Sequence, residues 1–440
     1  MTNSSRQSVG GPGIPARQAA LDLLTLVRGG ANLDEALERG RSFDALEGPD
    51  RAFARALATV VLRRQGSFDH MIGAYIDRPL PKRAGKVMDI LRLAAAQSLV
   101  FETPDHAVVS TATTIAKGYR ETAGYCGLVN AVARKVAGQK ASFDKLPERI
   151  DTPGWMWRAW ERAYGPANAR AIAAAHRFEA PLDLSVRDKT KLETLKATLS
   201  GEIVLDASIR LKKDHGPVPS LEGFEAGDWW VQDASAAVPA RLLGDVKGKT
   251  VLDLCAAPGG KTMQLAAAGA RVIAVDANGP RLKLVQENLQ RVGLFAETVK
   301  EDILEWTPSV KADAILLDAP CSATGTIRRH PDILAAKSQE DIKTLSNLQA
   351  KMIDQAVSML KPGGTLVYST CSLQPEEGEK QATGALERHA NLARAPLAED
   401  EIGGLPGAIT RNGDLRILPS MLGEFGGLDG FFATRLIMAT

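Results

Sequence analysis

Apolar residues in the first third of the chain recur at the three- and four-residue spacing of amphipathic helices. Leu21, Leu24 and Val27 share one helical face, and similar apolar stripes continue almost to the end of this region. A period near 3.6 residues is typical of helices that bury one face. The pattern predicts an all-helical domain over residues 16–145, preceded by a flexible tail over residues 1–15 that is rich in Ser, Gly and Pro.

The pattern changes after a proline-flanked boundary at residues 147–153. Residues 154–176 keep a helical spacing, and short runs rich in aliphatic and aromatic residues follow. Such runs are typical of strands. They lie at 182–186, 203–205 and 229–231. The pattern predicts a small α+β connector over residues 150–231.

Strand and helix patterns alternate from residue 250 onward. The predicted strands lie near 250–254, 271–275, 296–300, 313–317 and 364–370, with a C-terminal pair near 414–418 and 431–437. The predicted helices lie near 262–268, 279–292, 340–360 and 376–390. This alternation predicts an α/β domain over residues 232–440, built on a doubly wound parallel sheet.

The first predicted strand of this domain runs into a glycine turn. Strand, turn and helix in this order present backbone N–H groups and a helix N-terminus to a ligand. Gly260-Lys261-Thr262 resembles the end of a phosphate-binding loop, but Cys255 stands where that motif needs glycine. The Gly-x-Gly-x-x-Gly dinucleotide fingerprint is absent as well. An adenosyl-ligand turn and a purely structural turn both remain open at this point.

Composition and charge narrow the functional classes. The 440 residues are 45% hydrophobic and 24% charged, which is ordinary for a globular protein. No apolar run reaches the length of a membrane span, and the N-terminus lacks a signal-peptide core, so a cytoplasmic protein without a membrane partner is expected. The four cysteines have no Cys-x-x-Cys spacing, which predicts free thiols and no metal site.

Charge is distributed unevenly along the chain. Residues 1–145 carry 20 Lys and Arg against 14 Asp and Glu, a balance of +6, whereas the remainder carries 34 against 38, a balance of −4. A basic N-terminal domain is consistent with nucleic-acid contact, although a solvated surface gives the same count.

Acids and thiols stand at the ends of three predicted strands. Asp276 follows the second strand, a position suited to binding ribose hydroxyls. Asp318 and Cys321 follow the fourth strand, and Cys371 follows the fifth. Because ligands of open α/β sheets bind beyond the carboxyl ends of the strands, both thiols are expected to face the crevice beside the glycine turn.

One chemistry uses such a set of residues. A thiolate that adds to C6 of cytosine makes C5 nucleophilic toward an electrophilic methyl group. A free thiol with a pKa of about 8.5 is only slightly ionised at pH 7, so the site must favour the thiolate or supply a base. An acid such as Asp318 would stabilise the adduct at N3 of the ring. The residues alone do not decide which thiol is the nucleophile.

Six segments resemble the motifs of RNA cytosine-5 methyltransferases, in particular those of the RsmB (Fmu/Sun) type. These segments are Gln232–Ser235, Leu254–Thr262, Val275-Asp276, Leu317–Gly325, Ile327–Asp332 and Tyr368–Ser372. The N-terminal helices resemble, more loosely, the NusB-like RNA-binding domain of that type. The resemblance implies a class I (Rossmann-like) methyltransferase fold, S-adenosylmethionine as cofactor, and RNA, above all small-subunit ribosomal RNA, as substrate.

The resemblance also implies roles for individual residues. Cys371 is implied to be the nucleophile, and Cys321 to assist resolution of the covalent adduct beside Asp318. Arg328 and Arg329 are implied to contact RNA phosphate. The residues implied to bind the cofactor are Cys255, Ala256, Ala257, Pro258, Gly259, Gly260, Lys261, Asp276 at the ribose, Arg281, Asp302 at the adenine edge, and Asp318. A monomer that acts on a splayed or single-stranded base is expected.

One alternative is a methyltransferase that acts on transfer RNA or another RNA. Two further alternatives belong to other classes of protein. A nucleotide hydrolase would use Gly260-Lys261-Thr262 and Asp318 as a phosphate loop and its acidic partner, and the cysteine at position 255 argues against it. A non-catalytic RNA-binding assembly factor would be expected to lack a thiol or the acid, yet Cys321, Cys371 and Asp318 are all present.

Overall fold

The computed structural model describes residue 11 and residues 13–440, apart from the side chain of residue 82. The tail predicted over residues 1–15 therefore lies outside the described residues except near its end, where Ile14 already begins the first helix. The described chain packs into two units. The first comprises residues up to 158 together with 330–337, and the second comprises 159–329 and 338–440.

The first unit is helical, as its apolar periodicity predicted. Its helices are Ile14–Arg28, Leu33–Arg39, Arg41–Asp44, Gly48–Arg63, Gln65–Gly73, Gly85–Leu99, Asp105–Lys117, Arg120–Ala123, Cys126–Val136, Lys140–Asp144 and Ile333–Ala336. Their apolar faces share one core, in which Leu21 and Leu57 are fully buried. The segment 330–337 joins this unit partly through Asp332, whose carboxylate accepts the Leu33 N–H at 3.3 Å.

A four-stranded antiparallel sheet opens the second unit. Its strands are β1 (Asp183–Val186), β2 (Glu202–Val204), β3 (Ser208–Arg210) and β4 (Trp229–Val231), in the order β2-β3-β1-β4. A helix over Leu192–Thr198 connects β1 to β2. The preceding helical segment, Gly154–His176, is broken at Gly165, whose φ of 81° is non-helical. The predicted connector thus contains one strand, β3, that the pattern did not indicate.

An eight-stranded sheet forms the centre of the second unit. Its strands are β5 (Thr250–Leu254), β6 (Arg271–Val275), β7 (Glu297–Val299), β8 (Ala312–Asp318), β9 (Leu360–Thr370), β10 (Leu392–Arg394), β11 (Leu415–Ile417) and β12 (Phe431–Met438). The order is β10-β12-β9-β8-β5-β6-β7, with β11 paired to β12. Strands β5 to β9 run parallel, whereas β12 is antiparallel to β9. The chain order reverses between β5 and β8, where ligands of doubly wound sheets bind.

Helices cover both faces of this sheet. The helices of the second unit that follow β4 are Val238–Arg241, Gly260–Ala267, Gly279–Val292, Gln339–Ser358 and Glu379–Arg388. Alternate residues of β5 enter different cores, since Val251 packs with the side chains of helix Gly279–Val292 and Leu252 packs with those of helix Gln339–Ser358. The predicted doubly wound arrangement is therefore confirmed.

Candidate active site

The glycine turn lies at the carboxyl end of β5, beside the point where the strand order reverses. Cys255 has a φ of 62° and Gly259 a φ of 101°, so the backbone turns sharply before the helix that begins at Gly260. A Cβ on Gly259 would lie 3.1 Å from the Val285 side chain. Glycine at this position therefore satisfies both the left-handed backbone and the close packing of the neighbouring helix.

Asp276, at the end of β6, and Arg281, in the helix that follows, both make hydrogen bonds to this turn. The buried Asp276 carboxylate accepts the N–H of Ala257 at 3.1 Å and the N–H of Asn278 at 2.9 Å. Arg281 donates from Nη2 to the Ala257 carbonyl at 2.7 Å. Each Asp276 oxygen accepts one backbone N–H, which leaves lone pairs for hydroxyl donors. Asp302, in contrast, is exposed beyond the edge strand β7.

The structure brings the two predicted thiols together. Cys321 follows β8 and Cys371 follows the adjacent parallel strand β9, and their Sγ atoms are 3.4 Å apart. The backbone after Cys321 comes close to Cys371 at Gly325, whose N–H donates to the Cys371 carbonyl at 2.9 Å. A Cβ on Gly325 would lie 2.1 Å from the Gly430 carbonyl oxygen, so only glycine fits.

Asp318 joins the glycine turn to the thiols. Its Oδ2 accepts a hydrogen bond from Lys261 Nζ at 2.7 Å, and its Oδ1 accepts the Ser369 hydroxyl at 2.9 Å. The Lys261 side chain is 10% exposed and that of Asp318 is 29% exposed. The motif resemblance predicts Lys261 in a cofactor pocket, and the observed ion pair joins this lysine of the glycine turn to the end of β8, the strand that precedes Cys321.

The surroundings fix the protonation of several groups. Burial alone would lower the pKa of Lys261, but the charge and hydrogen bond of Asp318 outweigh burial and raise it. The hydrogen bond with Cys371, followed by burial, raises the pKa of Cys321 well above the usual thiol value. Burial, together with the charge of Asp276, raises the pKa of Cys255. Lys261 is therefore cationic, and Cys255 and Cys321 keep their protons near neutral pH.

The structure places the two arginines implied to contact RNA phosphate differently: Arg328 is buried, whereas the Arg329 side chain is 25% exposed and its RNA contact stays a prediction. The Arg328 side chain is 1% exposed, its Nη2 lies 3.3 Å from Asp429 Oδ1, and its Nη1 binds the Gly426 carbonyl. Arg329 donates to Asp429 at 2.7 Å and to Asp233 at 2.5 Å. Both guanidinium groups neutralise buried carboxylates, and no surface of Arg328 is left for a phosphate.

Sequence reasoning missed three acids near the site. Asp233 and Asp429 bind the two arginines, and Glu377 lies buried between the segments that carry the thiols. Glu377 stands among other charged residues, Glu376, Glu379 and Lys380, so the local sequence does not single it out. Its partners are set by tertiary structure alone.

No helix in the described part of the chain is long and apolar enough to cross a membrane.

Comparisons with known proteins identify relatives that cover most of the chain. A family model described as 16S rRNA methyltransferase RsmB/F matches residues 240–437, and the NusB family model matches residues 14–138. The chain is 35% identical over 404 residues to ribosomal RNA small subunit methyltransferase B of Enterobacter sp. (strain 638), covering 86% of this chain and 94% of that protein. It is 34% identical over 405 residues to the protein of the same name from Escherichia coli O1:K1 / APEC, with the same coverage of both chains.

A solved structure shows the same methyltransferase architecture. The crystal structure of a methyltransferase homolog protein from Pyrococcus horikoshii is 27% identical and superposes with a TM-score of 0.54, covering 64% of this chain and 93% of that chain.

Proposed function

Because the chain belongs to the RsmB/F family of 16S rRNA methyltransferases, we propose that it methylates C5 of a cytosine in small-subunit ribosomal RNA, with S-adenosylmethionine as methyl donor. The observation that carries this proposal is the 3.4 Å separation of the Cys321 and Cys371 sulfur atoms beside the Lys261–Asp318 ion pair. Two thiols and an anchored acid next to an adenosyl-type turn are the groups that covalent methylation of a pyrimidine requires.

Cys371 is the proposed nucleophile. Cys321 keeps its proton and can donate it in a hydrogen bond to the Cys371 sulfur, and the Lys261 ammonium interacts electrostatically with the same sulfur. The Cys371 thiolate then forms a bond to C6 of the cytosine, and the resulting enamine makes C5 nucleophilic.

Asp318 and Cys321 act in the steps around this adduct. N3 of the ring takes up the proton that the Cys371 thiol gives up, and the Asp318 carboxylate, held by Lys261 and Ser369, accepts a hydrogen bond from the N3–H group. S-adenosylmethionine, when bound, supplies the electrophilic methyl group for C5. The C5 proton then passes to water, and the Cys371–C6 bond breaks with its electron pair on sulfur. The sulfur takes back the N3 proton as the aromatic ring is restored, with Cys321 assisting release.

The glycine turn has the properties that an adenosyl ligand needs. The backbone from Cys255 to Lys261 bends around the end of β5, and the Asp276 carboxylate has free lone pairs beside it. These features support a pocket lined by residues 255–261, with Asp276 at the ribose and Arg281 supporting the turn. Asp302 is proposed at the adenine edge, at the end of the strand next to β6.

Other substrates and roles define the alternatives. A transfer RNA or another RNA would use the same chemistry. A non-catalytic assembly factor is disfavoured, because it has no need for two thiols in contact. The basic helical unit is proposed to bind RNA, and the protein is proposed to act as a cytoplasmic monomer.

Three cysteine variants test the chemistry. Cys371→Ala should abolish transfer of labelled methyl groups to ribosomal RNA, whereas Cys321→Ala should accumulate an RNA–protein complex that survives denaturing electrophoresis. Cys126→Ala, in the helical unit, is the matched control and should behave as wild type. Transfer by Cys371→Ala, or normal turnover without a complex in Cys321→Ala, would show that the assigned roles are wrong. Bisulfite sequencing of total RNA from a deletion strain would then identify the modified nucleotide.

A further inference from the structure

A fully buried carboxylate links the two segments that carry the thiols. Glu377 ends the short turn Pro375–Glu377 that follows β9, and its side chain is 0% exposed. Its Oε1 accepts the Ser322 N–H at 2.9 Å and Nε2 of Gln349 at 3.1 Å. Its Oε2 accepts the hydroxyls of Ser322 at 2.5 Å and Ser372 at 2.6 Å.

The two serines are the immediate neighbours of the two thiols. Ser322 follows Cys321 and Ser372 follows Cys371, and the serine hydroxyls are 3.1 Å apart. We propose that Glu377 is a positioning residue, which sets the distance between the two sulfur atoms by binding the residue after each cysteine. This inference rests on the proposed function, in which both thiols act on the same base.

A carboxylate suits this position better than an amide. An ionised carboxylate is a pure acceptor with about four lone-pair sites, and four donors surround Glu377. Hydrogen bonds to an ionised group are roughly twice as strong as those between neutral groups. Glutamine has the same shape, but its NH₂ group replaces one acceptor oxygen. Whichever way the amide is turned, two of the four donors lose their acceptor.

Other hydrogen bonds hold the same segments when the carboxylate is changed. Leu373 N–H donates to the Thr324 hydroxyl at 2.9 Å, and Arg416 Nη1 donates to the Ser372 carbonyl at 2.5 Å. The close contact of Gly325 with Cys371 is also independent of Glu377. We therefore expect Glu377→Gln to fold, with the two thiols less well placed.

The test measures adduct formation in a Cys321→Ala background, where the covalent RNA complex accumulates. Adding Glu377→Gln should slow formation of the complex on the order of 10²-fold, because a misplacement of about 1 Å has effects of this size. Affinities for S-adenosylmethionine and RNA should be unchanged. Glu376→Gln is the matched control, because Glu376 is adjacent, partly exposed and paired with Lys380, and it should leave the rate unaltered.

A double-mutant comparison separates positioning from general stability. Ser372→Ala alone should slow adduct formation, but added to Glu377→Gln it should cause little further loss, because the acceptor of its hydroxyl is already changed. A purely structural role predicts parallel losses in cofactor affinity and additive effects.

Each outcome is decisive for one of the two proposals. If Cys321→Ala alone forms no complex, the proposed roles of the two cysteines are wrong regardless of Glu377. If the complex forms and Glu377→Gln leaves its rate unchanged, or lowers cofactor affinity in parallel, the positioning role is wrong. Should Glu377→Gln not fold, Ser322→Ala replaces it, and an unchanged rate in that variant overturns the inference.

Discussion

Replacing Arg328 by methionine should destabilise the second unit without weakening RNA binding. Methionine keeps much of the apolar volume of the side chain and removes the guanidinium group. That group lies among Asp429, the Gly426 carbonyl and the neighbouring Arg329. The variant therefore distinguishes a structural role for Arg328 from the phosphate contact that the motif implied.

The magnitude follows from the burial of the charges. The Arg328, Asp429 and Asp233 side chains are 1%, 2% and 4% exposed, respectively. Two guanidinium groups neutralise two carboxylates, so removing one leaves an excess negative charge in the interior. Loss of one partner from a buried ion pair costs about 3–5 kcal/mol. At a urea dependence of about 2–3 kcal/mol per molar, the unfolding midpoint should fall by about 1–2.5 M.

Urea unfolding followed by tryptophan fluorescence measures this shift, and RNA binding at several salt concentrations measures phosphate contact. Arg411→Met, which removes an exposed positive charge from the same unit, is the control and should keep the wild-type midpoint. An unshifted midpoint for Arg328→Met, combined with a slope of log affinity against log salt reduced by about 0.7–0.9, would refute the structural role.

Two further variants test the site from other directions. Burial raises the pKa of Asp253 from 3.8 to about 7. Between these two pH values the folded state therefore binds a proton that the unfolded state has lost. The free energy of unfolding should accordingly fall by roughly 4 kcal/mol as the pH rises from the lower to the higher value. Asp253→Asn should lack this decline in urea unfolding at a series of pH values, and an identical pH profile would contradict the raised pKa. Gly325→Ala places a Cβ 2.7 Å from the Cys371 carbonyl oxygen. Because this contact displaces the Cys371 segment, turnover should fall on the order of 10²-fold. Calorimetry should show an unchanged cofactor affinity. Wild-type turnover would show that the Cys371 segment tolerates the shift.

The bounds of helices and strands were predictable where turn-forming residues flank them. The strands 250–254 and 271–275 and the helix 279–292 have the predicted bounds, because glycine, proline or a polar turn flanks each of them. Strands β3 and β10 were missed because three residues are too few to show an alternating pattern. The family and the α/β class are confirmed by the comparisons.

The only part of the site that the sequence predicted was the set of residues at the carboxyl ends of the strands. Adjacent parallel strands end at the same edge of a sheet, which is why the two thiols meet. Side-chain pairing escaped prediction, because Lys261 and Asp318 are 57 residues apart and Arg329 and Asp429 are 100 residues apart. No local pattern encodes such pairs, so the carboxylate partner of a motif arginine cannot be assigned from the sequence. The catalytic and cofactor roles of individual residues stay predictions until variants are measured.

Gly260-Lys261-Thr262 resembles the end of a phosphate-binding loop, but the contacts of its side chains argue against that function. A phosphate loop uses its lysine for the β- and γ-phosphates and its hydroxyl for Mg²⁺. Here Lys261 binds Asp318 at 2.7 Å, and the Thr262 hydroxyl donates to the buried Asp253 at 2.5 Å. Both groups are committed to carboxylates of the chain itself. Nucleotide binding would have to break both contacts and leave Asp318 and the buried Asp253 without these donors. The same three residues thus stiffen the turn and hold Asp318 beside the thiols, which favours methyl transfer over nucleotide hydrolysis.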